Sequence, residues 1–361
     1  MEKIKVAHIL PDFGIAGAEK LVTELLLNYD KSKFDIIAIS LYEDNKSYFI
    51  NELKENGCKI IFLNKKPGID FSIIKKLHST LKKEKVKIIH THRYVVPYVI
   101  LPSIICGIKG KIHTVHNIAS KELTSKGIII QNIAYKFLGF KPIGISSIIS
   151  ETIKKVYNIK DVKTIYNGID TKKFLESKRI NRESVVNILH IGRFSEQKNH
   201  KLLIEAFKIV SNKNKDLILN LVGEGPLKND IIDLVNKYNL DNNVNFLGIR
   251  EDIPRLMKEN DIFILPSLWE GLPITLLEAM SSGIPMVASN VGGNSDIITN
   301  LENGILFESN NLNELVESIN LLCKDKRLRD KFSSKSIEKS KSYDIRETSK
   351  LYENLYSELI E

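Results

Sequence analysis

Two carboxylates bracket a helix start in the run Glu270-Gly-Leu-Pro-Ile-Thr-Leu-Leu-Glu278, directly behind the strand-like segment DIFILP. Pro273 suits the first turn of a helix, where its missing N–H is no loss, and the N–H groups of Ile274, Thr275 and Leu276 are expected to point out of that start. Such a terminus attracts phosphate, and Gly271 and Leu272 lead the backbone up to it. Glu270 falls in the loop before the helix and Glu278 about two turns along, which places the two acids about 10 Å apart. A carboxylate pair that cleaves a glycosidic bond through a covalent intermediate sits at about 5 Å, so this pair does not match one. The separation suits the ends of an extended nucleotide sugar, with hexose hydroxyls at Glu270, ribose hydroxyls at Glu278 and the diphosphate between them.

A second constellation is Gly192-Arg193-Phe-Ser-Glu-Gln-Lys198, which follows the strand-like run VVNILHI and leads into a helix. Arg193 and Lys198 belong to a strand-to-helix loop, where two fixed cations can hold a diphosphate and stabilise its leaving charge. They would replace a metal. No Asp-x-Asp occurs in the chain and no His/Cys/Asp/Glu group has ligand spacing, so neither a metal nor another cofactor is expected. Nearer the amino end, Gly14-Ile-Ala-Gly17-Ala-Glu19 joins the first strand to the first helix, and its glycines let a ligand approach the backbone closely. The spacing is not Gly-x-Gly-x-x-Gly, which argues against a nicotinamide or flavin site. His116, at the end of HTVHN, is the best candidate in this half for touching the sugar; His90 and His92 have a weaker claim.

These residues need strand ends and helix starts to hold them, and the pattern supplies both. Short β-branched runs at Lys5–Leu10, Phe34–Ser40, Lys59–Leu63, Lys87–His90, Lys111–Val115, Pro142–Ser146 and Val162–Tyr166 alternate with helical patterns. In the first helix, Leu21, Leu25 and Leu26 share one face. This alternation predicts βαβ units and parallel sheets. The rhythm pauses at Asn167-Gly168, and the polar stretch TKKFLESKRINRES precedes a second βα series. Domains of residues 1–168 and 169–343 are expected, with a last helix over 344–361. Three helical segments close the chain, near Glu314–Leu322, Arg327–Phe332 and Ile345–Leu359.

A chain of 361 residues can bury two full cores. Its three cysteines, Cys58, Cys106 and Cys323, form no framework and fit a reducing compartment. The start runs straight into a strand without a cleavable signal, and the longest apolar stretch, Tyr94–Ile108, is too short for a bilayer span. A cytoplasmic protein is expected. The net charge of +9 is uneven: residues 1–165 carry 27 basic against 15 acidic side chains, and the remainder 26 against 29. A basic amino-terminal half favours an anionic membrane face over nucleic acid, for which no motif is present.

Taken in order, the glycine loop at Gly14 to Gly17, Val115-His116-Asn117, Ile165 to Asp170, Gly192-Arg193 with Lys198, Gly223-Glu224-Gly225-Pro226, and Glu270 to Glu278 followed by Gly283-Ile-Pro285 resemble the large retaining glycosyltransferase family four. The likeness spans essentially the whole chain. It implies the α/β GT-B fold, two facing Rossmann-like domains with a deep cleft, and a final helix that returns to the first domain and leaves a hinge for closure. It implies that Gly17 and His116 face sugar and phosphates, that Arg193 and Lys198 bind the diphosphate, and that Glu270 and Glu278 hold sugar and ribose hydroxyls. It also implies metal-independent transfer with retention, the leaving phosphate oxygen helping to deprotonate the acceptor hydroxyl. The run Val291-Gly-Gly293-Asn294 looks like the family's Gly-Gly loop, with Ser295-Asp296 where the family usually has Glu, and Asp296 is expected to cap in its place.

The expected donor is a UDP-sugar carrying a hexose or hexosamine. In this fold the acceptor is usually gripped by the first domain, here the basic one. That points to a glycan or lipid-linked glycan acceptor at the inner face of the cell membrane, in capsule, lipopolysaccharide or related polysaccharide assembly. Ile129, Ile133, Phe137 and Phe140, near helical spacing within residues 127–141, form an apolar stripe that either packs in the core, as such stripes more often do, or docks on the membrane. A nucleotide-sugar epimerase of the same fold and a non-catalytic sugar-nucleotide-binding subunit are the alternatives.

Overall fold

The computed structural model describes residues 3–175, 186–214 and 216–360. In chain order the first half comprises β1 (Ile4–Leu10), α1 (Gly17–Leu27), β2 (Phe34–Ser40), α2 (Tyr48–Glu55), β3 (Ile60–Phe62), α3 (Ser72–Lys83), β4 (Ile88–His92), α4 (Val96–Ile105), β5 (Gly110–Val115), α5 (Ala119–Glu122), α6 (Ser125–Phe137), β6 (Lys141–Gly144), α7 (Ser147–Tyr157) and β7 (Lys163–Thr164). All seven strands run parallel, in the order β3-β2-β1-β4-β5-β6-β7. Strands buried on both faces read as continuous apolar runs, and Val6, Ala7, Ile9 and Leu10 of β1 are fully covered. The strand order reverses direction between β1 and β4, so the loops that follow these two strands diverge. At such a reversal an open sheet leaves a crevice beyond its carboxyl ends.

The second half comprises α8 (Thr171–Leu175), β8 (Val186–Ile191), α9 (His200–Ser211), β9 (Leu217–Val222), α10 (Lys228–Lys237), β10 (Val244–Gly248), α11 (Ile253–Glu259), β11 (Ile262–Leu265), α12 (Ile274–Ser282), β12 (Met286–Ser289), α13 (Asn294–Ile297), β13 (Gly304–Phe307), α14 (Leu312–Lys324), α15 (Lys326–Ser340) and α16 (Ile345–Glu358). Its sheet is also parallel, in the order β10-β9-β8-β11-β12-β13, and reverses between β8 and β11.

Two packing units result. One is the chain up to Gly168 together with the segment from Ile345; the other is Ile169–Asp344. Each has its own core. Phe194, Phe207, Phe307 and Phe332 pack in the second, whereas Ile345, Tyr352, Leu355 and Tyr356 of α16 pack in the first with Val6, Leu21, Leu25 and Phe34. Where the chain passes between units it is pinned on both sides: Ile169 N–H donates to Tyr343 O (3.0 Å), and Thr348 Oγ1 donates to Tyr166 O (3.2 Å).

Several elements depart from the sequence expectation. β4 runs to His92, two residues beyond the expected end. The polar stretch after Gly168 opens with the helix α8, anchored by Thr171 Oγ1 donating to Asp344 Oδ2 at 2.5 Å; its residues 176–184 lie outside the described ones. α15 continues to Ser340 because it buries Phe332, Ser336 and Ser340 at helical spacing, a face of small hydroxyls that an apolar pattern does not reveal.

Candidate functional site

In the second unit the loops after β8 and β11 meet where the strand order reverses. Leu268 N–H donates to Gln197 O (2.8 Å), and the Gln197 amide donates to Trp269 O (2.9 Å). This stitching delivers Lys198 to Glu270. The Lys198 ammonium lies 2.6 Å from Glu270 Oε1, Ser267 Oγ donates to the same oxygen at 2.6 Å, and Gln197 Nε2 reaches Oε2 at 3.3 Å. With Glu270 only 4% exposed, three donors from two loops fix the carboxylate as an acceptor for a further hydroxyl.

Glycines let the backbones come this close. Gly292 has φ +51°, and a side chain on it would run into the Glu270 carbonyl; Gly223, at φ +135°, lies equally tight on Gly192 O. Gly293 N–H donates to Gly271 O (2.8 Å), tying the Gly-Gly loop to the start of the acidic run.

α12 begins at Ile274, with Pro273 at the boundary and no side-chain cap. Leu276 N–H is not free, contrary to the sequence expectation: it bonds to Pro273 O at 3.1 Å in the tightened first turn. Beside it, Thr275 Oγ1 is buried without a hydrogen-bond partner among the described residues. Glu278 is the fifth residue of α12, a little over one turn from its start and not two, and is buried. Arg193 is exposed, and no described residue pairs with its guanidinium.

The first unit carries a different array. Gly14 N–H closes on Asp12 Oδ1 (2.7 Å), and Gly17 opens α1 at the surface. Behind them Glu19, fully buried, is met by the Arg93 guanidinium at 2.5 Å, and Arg93 adopts φ +58° directly after β4. Burial raises the Glu19 carboxyl above its usual range against the pull of Arg93.

Beyond β5, His116 Nε2 pairs with His92 Nδ1 (3.0 Å), and His92 Nε2 pairs with His8 Nδ1 (3.0 Å). The His116 N–H donates to Glu122 Oε1 (3.0 Å). Burial pushes Glu122 up to about 7 and holds His8 and His116 down near about 3. His8, His90 and His92 bring one ring nitrogen each within 4.8 Å of one another, so the fold assembles a histidine group that linear spacing does not show. Every ring nitrogen of these three already has a protein partner.

The description "Glycosyltransferase Family 4" matches residues 15–173, and "Glycosyl transferases group 1" matches residues 171–339. Over 90% of its length the chain is 30% identical to the UDP-Gal:alpha-D-GlcNAc-diphosphoundecaprenol alpha-1,3-galactosyltransferase of Escherichia coli, covering 89% of that relative. The chain belongs to glycosyltransferase family 4. A further relative is the Campylobacter jejuni N-acetylgalactosamine-N,N'-diacetylbacillosaminyl-diphospho-undecaprenol 4-alpha-N-acetylgalactosaminyltransferase, 28% identical over 51% of this chain and 50% of that one. Among solved structures, Anabaena HepE in complex with UDP and glucose superposes with a TM-score of 0.85 at 20% identity, over 98% of this chain and 100% of that one. The fold is GT-B.

Within this glycosyltransferase, Gly192, Lys198, Glu270, Gly271, Leu272, Ile274, Thr275 and Glu278 all fall on the carboxyl-end loops of β8 and β11 or on α12, with Arg193 on the same loop as Lys198. Gly14, Gly17 and His116 fall on the corresponding loops of the first unit, beyond β1 and β5. At the Gly-Gly loop the Gly293 N–H goes to Gly271 O, and the loop is held by Asn294 Nδ2 donating to Ser289 O at 2.9 Å. The apolar stripe divides: Phe140 lies past the end of α6 and is core at 2% exposed, whereas Ile129, Ile133 and Phe137 stand out at 61, 46 and 78%.

Sequence reasoning overlooked Arg93, Ser267, Gln197 and the pair His190 and His200. His200 stacks on Phe194 (4.1 Å between centroids) and meets His190 edge-on at 4.6 Å. Burial lowers His190 to about 4 and His200 to about 2. The position of His190 at the end of an apolar strand, two residues before Gly192, was the available signal.

Proposed function

We propose that this glycosyltransferase moves a hexose or hexosamine from a UDP-sugar to a lipid-linked glycan, with retention of configuration and without a divalent metal, in bacterial surface-polysaccharide assembly. The observation that carries the reading is the Glu270 carboxylate, fixed by Lys198, Ser267 and Gln197 beside the uncapped start of α12. Glu270 accepts from sugar hydroxyls. The ammonium of Lys198 keeps donor capacity beyond its bond to Glu270, and with Arg193 it neutralises the diphosphate as the glycosidic bond breaks. The orphaned Thr275 hydroxyl and the first amides of α12 add donors for a phosphate oxygen. Glu278 accepts from the ribose.

Neither glutamate is free to act as a nucleophile, since Glu270 is held by three donors and Glu278 is buried inside a helix. This agrees with what the family resemblance implies, that the acceptor hydroxyl loses its proton to the departing phosphate oxygen on the same face of the sugar. A diphosphoundecaprenol acceptor is supported by the names of the Escherichia coli and Campylobacter jejuni relatives.

The test incubates purified protein with UDP- and GDP-sugars and a GlcNAc-diphospho-lipid, with chelator present, and reads the product by proton NMR. An α-linked glycoside from an α-configured UDP-sugar, formed at an undiminished rate in chelator, is expected. A β-linked product would overturn retention, and loss of activity restored by magnesium or manganese would overturn metal independence. Release of an epimerised nucleotide sugar would favour the epimerase reading.

The membrane part of the proposal rests on α4 and α6, which pack together and leave Leu101, Ile104, Ile105, Ile129, Ile133 and Phe137 exposed on a unit rich in lysine. Among the described residues no helix is long and apolar enough to cross a membrane. Sedimentation with phosphatidylglycerol vesicles should pull the protein down at physiological salt. Ile133→Glu with Phe137→Glu should weaken this by about a hundredfold or more, because two side chains that each gain about 1.5–3 kcal/mol on entering the apolar layer are lost. No sedimentation of the unaltered protein would reject docking.

A further inference from the structure

One face of the first sheet, where α16 lies, holds an unbroken row of polar groups. His8 on β1 and His90 on β4 are register partners, as are His92 on β4 and Thr114 on β5. α16 adds Tyr352 and Tyr356, one turn apart. Starting from the helix, Tyr352 Oη pairs with Thr114 Oγ1 (3.1 Å), Thr114 Oγ1 with His90 Nε2 (2.7 Å), and His90 Nδ1 with Tyr356 Oη (2.7 Å). From there Tyr356 Oη pairs with His8 Nε2 (3.0 Å), His8 Nδ1 with His92 Nε2 (3.0 Å), and His92 Nδ1 with His116 Nε2 (3.0 Å). All are buried except His116, which is partly open.

Such a row has a direction. A neutral imidazole donates from one nitrogen and accepts at the other, and a buried hydroxyl that accepts from one side must give its single proton to the other or leave it unsatisfied, so with every proton used the sense of one hydrogen bond dictates every other. Tyr352 sets it. Its phenol is buried, and Thr114 Oγ1 is its one partner among the described residues, so the phenol proton must be given there or remain unsatisfied. Thr114 then donates to His90 Nε2, His90 Nδ1–H to Tyr356 Oη, Tyr356 to His8 Nε2, His8 Nδ1–H to His92 Nε2, and His92 Nδ1–H to His116 Nε2. The remaining proton of His116 is left on Nδ1, for which no described residue is a partner.

We propose that Tyr352 and Tyr356 are positioning residues that, through His90, His8 and His92, lock His116 in its Nδ1–H tautomer, so that it offers a neutral hydrogen-bond donor and not a base to an oxygen of the bound substrate. That the oxygen belongs to the donor substrate rests on the proposed function; the tautomer does not. His116 in this state cannot take the proton of an incoming hydroxyl, which agrees with a leaving oxygen that does so. Burial, which holds these imidazoles uncharged, supports the same picture.

The experiment uses the full chain labelled with [15N]histidine and long-range proton–nitrogen correlation, with no substrate present, and assigns His116 by its loss in His116→Gln. The expected spectrum shows His116 protonated on Nδ1 and bare on Nε2. Tyr356→Phe cuts the row between His90 and His8, and Tyr352→Phe removes its first donor while every histidine contact stays; each should turn His116 into a mixture of tautomers. A wild-type His116 protonated on Nε2 overturns the proposal even if neither variant folds. So does an unchanged tautomer in both folded variants, or displacement of the row by added zinc. In the transfer assay His116→Asn, which keeps an N–H donor near the Nδ1 position, should stay within about tenfold of wild type while His116→Asp falls about a hundredfold. Equal loss in the two overturns the donor role. Absence of transfer by the wild-type chain would count against the proposed function alone, since the spectrum needs no turnover.

Discussion

At the scale of single residues, the Lys198–Glu270 pair shows how a site charge is kept in place. Both side chains are largely covered, with the lysine 16% and the glutamate 6% exposed, so neither can be deleted without leaving the other desolvated. Lys198→Met should therefore destabilise the second unit by about 2 kcal/mol, below the cost of a fully buried pair because some water reaches the lysine. It should also slow transfer about a hundredfold or more through loss of charge at the leaving group. Glu270→Gln keeps the shape but removes the lysine's counter-charge and sets an amide N–H₂ against a donor where the carboxylate accepted. Its melting temperature should fall about as far as that of Lys198→Met, since the covered ammonium is left unpaired, while turnover falls about a hundredfold with a smaller change in affinity for UDP alone. Melting curves with and without UDP, set beside initial rates, separate these effects. Equal rates for Glu270→Gln and wild type would remove Glu270 from the machinery.

At the scale of elements, the first sheet is stabilised by groups that must stay uncharged, and this gives it an acid limit. His8 and His113 are held near about 3, against about 6.5 when exposed, and His90 and His92 are driven well below their usual value, all by burial first. The unfolded chain thus binds more protons than the folded one between the two values. The stability these groups contribute is complete above about pH 6.5 and is lost as pH falls toward about 3, at about 1.4 kcal/mol per pH unit for each histidine. Glu122, raised to about 7, acts in the opposite sense: protonating it as pH falls favours the fold. The balance still favours unfolding. Circular dichroism should report an acid transition near pH 4–5, and His113→Gln, outside the row that reaches His116, should move it to lower pH. A transition that does not respond to this change would mean that carboxylates set the limit.

These same elements show where sequence reading succeeds. The β-branched runs, the glycine turns and the Glu270–Glu278 segment are local patterns, and each places its residue at a strand end or helix start. Glu19 with Arg93, and His8 with His90, His92, Thr114 and Tyr356, are assembled across β1, β4, β5 and α16. No spacing along the chain encodes them. A hydroxyl face such as that of α15, or a loop tied by backbone amides as at Gly293, is equally silent, because an apolar period or a capping pattern is what the eye can detect.

At the scale of the whole molecule, the order of the chain and the order of packing disagree in one place. α16 follows the second unit in sequence yet fills the core of the first with Ile345, Tyr352, Leu355 and Tyr356. Each such side chain stabilises by about 1.5–3 kcal/mol when buried, against a net stability of about 5–15 kcal/mol for a domain. Its loss would also leave His8, His90 and Thr114 short of the two phenols that satisfy them. Ending the chain at Asp344 should therefore unfold the first unit and spare the second. Residues 169–344 made alone should melt cooperatively and be stabilised by UDP, while residues 1–344 should show one melting transition where the full chain has the signal of both units. Limited proteolysis of residues 1–344 should digest the chain before Gly168 and leave a resistant core beginning near Ile169. Should the first unit of that truncated chain resist proteolysis as the full chain does, α16 would be an accessory to that core and not part of it, and the row of hydrogen bonds from Tyr352 to His116 would lose its claim to order the site.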